Sequence, residues 1–122
     1  MKFRGRAYHK PGMMNKVEQD YHNHLSLLKI AGEIQDFAYE PEKLRIGDNC
    51  QYTPDFRIIR SEEGAIEFHE VKAGWKSKET GKVKPHVEDD ALVKIKAAAE
   101  MHPYKFIMVW KENGQWHKKE MN

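Results

Sequence analysis

At 122 residues the chain is long enough for one domain built on one core. Charged residues make up 33% and aromatics 11%, the composition of a globular chain rather than a disordered one, and a single cysteine excludes a disulfide framework. No apolar run approaches the ~20 residues of a membrane span, the basic N-terminus has no apolar signal core, and Cys50 is single, so an intracellular, cytoplasmic setting is expected.

A net charge of +2 conceals strong segregation. Residues 1–16 carry five basic side chains (Lys2, Arg4, Arg6, Lys10 and Lys16) and no acid, whereas residues 17–71 carry twelve acids against five bases. Residues 72–84 return to basic, with five lysines against Glu79 alone. Basic segments suit a polyanion and clustered carboxylates a cation; solvated tails and loops are the plainer alternative. The division expected is a basic arm over 1–14 and a single domain over 15–122.

In chain order, Val17, Tyr21, Leu25 and Leu28 form one apolar stripe at three- and four-residue spacing, predicting a helix over about 16–31 with Asn15 as N-cap and Gly32 as its stop. "EIQDFAYEP" alternates as a strand, and "EKLRIGDNC" is a short strand closing in a Gly-Asp-Asn turn. "QYTPDFRIIR" and "AIEFHEVKA" are strand-like runs separated by "SEEG", the pattern of a hairpin. A second helix is expected from Val87 to about Met101, with Val87, Ala91, Ile95 and Ala98 on one stripe and Glu88, Asp89 and Asp90 in its first turn. "YKFIMVW" is a buried strand in type and "GQWHKKE" a terminal edge strand, giving the order α-β-β-β-β-α-β-β, a mixed α/β arrangement.

If "SEEG" is the whole loop, Arg60 pairs with Ala65. Asp55 then stands opposite Glu70 and Thr53 opposite Lys72, with all four side chains on one face. Opposed carboxylates repel and weaken a sheet, unless a hard cation such as Mg²⁺ or Mn²⁺ lies between them. Lys72, one pleat away, is placed to meet charge on a phosphate. The plainer alternative is a surface ladder pair, Glu70 or Asp55 with Lys72 or Arg57.

Pro54-Asp55 followed by Glu70-Val71-Lys72 resembles the PD-(D/E)xK nuclease superfamily, and in particular its small phage-encoded, Holliday-junction-resolvase-like members, over roughly residues 14–110. The resemblance implies a restriction-endonuclease-like αβββαβ core with a mixed central sheet flanked by helices. It implies a metal-dependent endonuclease of a phage or bacterial host cell, acting on DNA with Mg²⁺, which Mn²⁺ can replace. Asp55, Glu70 and the Val71 carbonyl would be metal ligands, and Lys72 the catalytic lysine. Glu18 would supply a further catalytic and metal-binding acid from the first helix, with Asp20 as substitute; the same Glu18 also completes a capping box with Asn15. Lys94 and Lys96 are candidates for a polar contribution from the second helix.

The chain departs from that pattern in its long basic loop "GWKSKETGKVKP", where Trp75, Lys76, Lys78, Lys82 and Lys84 could track a phosphate backbone and stack on a base. Arg4 and Arg6 extend the same potential into the arm. Without a further recognition domain the expected substrate is branched or junction DNA, cut by a homodimer; the alternative is a non-catalytic DNA-binding or assembly module. The seven histidines show no zinc-ligand spacing. His69 should face away from Glu70.

Overall fold

A computed structural model describes residues 13–76, 78–85 and 89–122; for Trp75, Lys84 and Asp89 the description covers the backbone alone. Its first element, α1 (Lys16–Ile30), begins where expected, because the Asn15 side chain accepts from the Glu18 amide at 2.8 Å and Glu18 Oε1 accepts from the Asn15 amide at 2.9 Å. It ends at Gly32, whose φ of +80° is a conformation glycine adopts without strain. Tyr21 and Leu25 are buried, with Val17 and Leu28 packed beside them, as the stripe predicts.

The strands are β1 (Ile34–Tyr39), β2 (Leu44–Gly47), β3 (Cys50–Tyr52), β4 (Phe56–Arg60), β5 (Ile66–Val71), β6 (Gly74–Lys76), β7 (Val83–Pro85), β8 (Lys105–Glu112) and β9 (Gln115–Glu120). α2 (Asp89–Met101) lies between β7 and β8 and buries Ile95 and Ala98; the expected Val87 and Glu88 lie outside the described residues. A mixed five-stranded sheet runs β1-β4-β5-β8-β9, antiparallel except for the parallel β5–β8 pair that α2 connects. α1 covers one face, over a core of Tyr21, Leu25, Ile34, Phe56, Ile58, Val71, Ile107 and Val109. The other face holds a second core of Tyr52, Phe68, Ile95, Ala98, Ala99 and Phe106 beneath α2 and the small β2–β3 sheet. Among the described residues no helix is long and apolar enough to cross a membrane.

Two expectations need correcting. "QYTPDFRIIR" is not one strand: Pro54 has no amide hydrogen to donate, so the run breaks into β3, which pairs with β2 on the second face, and β4, which joins the main sheet. The basic segment is not a plain loop, since β6 and β7 form an antiparallel hairpin with Trp75 opposite Lys84 and Lys76 opposite Val83.

The α1 face also contains a satisfied polar chain. Tyr21 Oη lies 2.6 Å from His69 Nδ1, and His69 Nε2 lies 2.9 Å from Glu67 Oε1, which also accepts from Arg60 at 2.9 Å. Burial favours the neutral imidazole and lowers the His69 pKa, against the opposing pull of Glu67. Neutral His69 then donates from Nε2 to Glu67 and accepts the Tyr21 hydroxyl at Nδ1. Burial of Glu67 opposes its ionisation, yet hydrogen bonds from His69 and Arg60 prevail and lower its pKa to about 2.

The consequence for stability has a definite sign. A depressed folded-state pKa gives stability that is complete above the unfolded pKa and lost as pH falls. Thermal stability should therefore fall first below about pH 6.5, as His69 charges in the unfolded chain, and again from about pH 4.5 down towards 2 through Glu67. His24, also lowered by burial, titrates in the first window, so His69→Gln should shrink that first step in a melting-temperature series without abolishing it.

Candidate active site

The end of the sheet where β4 begins and β5 finishes brings together Asp55, Glu70, Val71 and Lys72 of the sequence-predicted residues. The pairing of Phe56 with His69, Arg57 with Phe68, Ile58 with Glu67 and Ile59 with Ile66 is the register expected from a four-residue loop, and the Arg60 amide donates to the Ala65 carbonyl at 2.8 Å. Hydrogen-bonded pairs alternate in an antiparallel ladder, so the next such pair after Phe56 and His69 would be Pro54 with Val71. Proline cannot supply its donor. The Val71 amide donates instead to Asp55 Oδ2 at 2.8 Å, while the Asp55 carbonyl accepts from the Glu40 amide at 2.7 Å. Asp55 is thus held by its side chain to β5 and by its backbone to the end of β1. Thr53 lies between β3 and β4, outside either ladder, so the expected pairing of Thr53 with Lys72 does not form.

Asp55 and Glu70 are neighbours electrostatically. Burial pushes the Asp55 pKa well above the ordinary carboxylate value, the Glu70 and Glu18 charges push it further, and the Val71 amide and Lys72 only partly oppose them. Glu70, on the α2 side of β5, has both oxygens engaged: Tyr52 Oη donates to Oε1 at 2.5 Å, and Lys72 Nζ lies 3.2 Å from Oε2. Glu70 and Lys72 therefore do pair with each other, in the plainer sense that the strand spacing allows, while Arg57 pairs with Glu42 at 2.9 Å. The Lys72 amide bonds the Val109 carbonyl at 2.9 Å, fixing this end of β5 against β8.

Glu18 is a helix cap in this arrangement, as the second reading of its spacing has it. It is buried, and its Oε1 also accepts from the Tyr39 hydroxyl at 2.9 Å. Its charge still reaches Asp55, so the first turn of α1 borders the site. Asp20 lines a separate surface hollow with His24 and Trp116. Tyr52 and Tyr39 are the partners of the candidate carboxylates that sequence reasoning misses, because a tyrosine in a strand-like run reads as core and nothing local indicates which carboxylate its hydroxyl meets.

Among the described residues no three His, Cys, Asp or Glu side chains form a group that could hold a metal ion. What the site offers a cation is the Asp55–Glu70 pair. Mg²⁺ binds proteins through one or two carboxylates and keeps several waters, and the buried Asp55 carboxyl next to Glu70 suits it chemically. A cleft of about 690 Å³ beside the β4–β5 loop, lined by Gly32, Glu33, Arg60, Glu67 and Lys118 among others, lies at the opposite end of these strands and holds none of the candidate residues.

The β6–β7 hairpin leaves the sheet two residues after Lys72. Gly74 is required there, since a Cβ would sit 2.7 Å from Val83 Cγ1 and 2.8 Å from the Lys111 carbonyl oxygen. Lys76, Lys78 and Lys82 are exposed on this arm. The side chains of Trp75 and Lys84, and the whole of Arg4 and Arg6, lie outside the described residues. Lys94 and Lys96 are exposed on α2, on either side of buried Ile95, and do not join the carboxylates.

No family model matches this chain, and no curated protein or solved structure matches it either.

An elevated pKa means that ionised Asp55 costs folding energy: the penalty is absent below the unfolded pKa near 3.8 and grows as pH rises towards the folded value. Asp55→Asn keeps an acceptor for the Val71 amide and removes the charge. It should raise the melting temperature at pH 8 by a few degrees, since about 1 kcal/mol moves a domain of this size by roughly 3–6 °C, and the gain should vanish below about pH 3.8.

Proposed function

We propose that this chain is a divalent-metal-dependent endonuclease that hydrolyses phosphodiester bonds in DNA. The observation that carries the reading is the Asp55 carboxyl fixed by the Val71 amide beside Glu70, with Lys72 on the same strand end. Setting aside the two small hairpins, the order α1, β1, β4, β5, α2, β8 reads α-β-β-β-α-β, the core that the PD-(D/E)xK resemblance implies.

Asp55 and Glu70 would hold Mg²⁺ or Mn²⁺, with the Val71 carbonyl as a further oxygen ligand. When bound, such an ion supplies an acidified water and neutralises charge on the phosphate. Asp55 keeps its position through the Val71 amide and Glu70 through the Tyr52 hydroxyl. Lys72, transferred from Glu70 to a phosphate oxygen, would stabilise the charge that develops there. Glu18 would border the site through the first turn of α1. The lysines of the β6–β7 arm, with Arg4 and Arg6, would bind the DNA backbone. We infer branched or junction DNA as substrate and a homodimer as the form that makes paired cuts.

A non-catalytic DNA-binding module is the second reading. It is favoured by the engagement of both Glu70 oxygens and by the lack of a three-residue metal group among the described residues.

A cleavage panel of linear, nicked, flap, four-way-junction and single-stranded DNA with Mg²⁺ or Mn²⁺ separates the two. The nuclease reading expects products that Lys72→Ala and Asp55→Asn each reduce by roughly 10²-fold or more; binding without product under every metal would sink it. Replacing Lys76, Lys78 and Lys82 together by Ala should weaken DNA binding on all substrates. The slope of log K against log salt should fall by roughly 2–3 units, as about 0.9 is lost per phosphate contact.

A further inference from the structure

The two oxygens of Glu70 are held by donors of different kinds. Lys72 is a cation on a long stem, 3.2 Å from Oε2, and an incoming divalent ion competes with it directly. Tyr52 is a neutral donor 2.5 Å from Oε1, and a carboxylate oxygen can accept its hydrogen while still facing a cation. The Tyr52 ring cannot follow Glu70 if that side chain swings: it is 7% exposed, packed in the core with Phe68, Ile95, Ala98 and Phe106, and its backbone is paired with Leu44 at the end of β3. Glu70 has three rotatable side-chain bonds, so a donor fixed in the core at Oε1 limits the positions its carboxylate can take beside Asp55, which the Val71 amide holds.

We propose that Tyr52 is a positioning residue whose hydroxyl locks the Glu70 carboxylate beside Asp55, so that a Mg²⁺ or Mn²⁺ ion meets both ligands already in place. The inference rests on the nuclease reading and adds to it a partner outside the Asp-Glu-Lys set. Outer donors that orient metal ligands are commonly worth 10- to 100-fold in affinity.

The test is Mn²⁺ binding to the full chain, followed by electron paramagnetic resonance, for wild type, Tyr52→Phe, Glu70→Gln and the double variant. Tyr52→Phe keeps the buried ring, and its metal-free melting temperature checks that the core is intact. Its Mn²⁺ dissociation constant should rise about 10- to 100-fold, while the same change in the Glu70→Gln background should have no further effect. Cleavage by Tyr52→Phe should be slow at limiting Mn²⁺ and return towards the wild-type rate at saturation. Equal Mn²⁺ affinity of wild type and Tyr52→Phe, or an equal loss in the Glu70→Gln background, overturns the role of Tyr52 and leaves the nuclease reading standing. A wild type that binds no Mn²⁺ overturns both.

Discussion

The hydrogen bond from the Val71 amide to Asp55 Oδ2 is the contact on which the arrangement of this sheet end depends. Pro54 stops the β4–β5 ladder one pair early, and the vacated donor on β5 is taken by a side chain in place of a backbone carbonyl. With the Asp55 carbonyl bound to the Glu40 amide, three strands converge on one residue. The chain before Pro54 is then free to turn onto the other face, where β3 pairs with β2 and delivers Tyr52 to Glu70.

The two faces of β5 treat buried charge in opposite ways. Towards α1, Glu67 and His69 belong to a chain in which every polar atom on the path from Tyr21 to Arg60 has a partner, and Glu67 is stabilised as an anion. Towards α2 and the sheet end, Asp55 gains too little from Val71 and Lys72 to offset its burial and its carboxylate neighbours. Strain of the first kind is absent and of the second kind is kept. A buried carboxylate kept at electrostatic cost beside a second carboxylate is a feature that sites arranged for a ligand or a reaction share.

Much of the scaffold was legible because it follows from short-range rules. The α1 limits come from Asn15, Glu18 and Gly32; the β4–β5 register comes from the length of "SEEG"; the central burial of β8 comes from an unbroken apolar run. What the sequence concealed depends on contacts between distant segments. The β3–β4 break lies inside a single strand-like run, "QYTPDFRIIR", where Pro54 could equally have marked an edge strand. The β6–β7 hairpin pairs only Gly-Trp-Lys with Val-Lys-Pro, segments too short and too rich in Lys, Gly and Pro to read as strands, and is held by backbone pairing and by its contact with β8. The hydroxyls of Tyr52 and Tyr39 reach Glu70 and Glu18 across 18 and 21 residues of sequence. The Glu70–Lys72 pair was visible as a spacing, but not as a contact that coexists with the Asp55–Glu70 confrontation.

One strand therefore links all parts of the molecule. Residues 67, 69 and 71 of β5 fasten α1 through Glu67, His69 and Val71, while Phe68 and Glu70 face the second core and Lys72 follows immediately. A displacement of α1 would be transmitted through Tyr21 and His69 to a residue adjacent to Glu70, and it would move the Glu18 charge that bears on Asp55. The β6–β7 hairpin begins two residues beyond, pressed on β8 at Gly74 so closely that a single methyl group has no room. A polyanion bound along Lys76, Lys78 and Lys82 would thus lie against the strand end that carries the carboxylates. Its negative charge would add to the electrostatic cost of the Asp55 and Glu70 carboxylates.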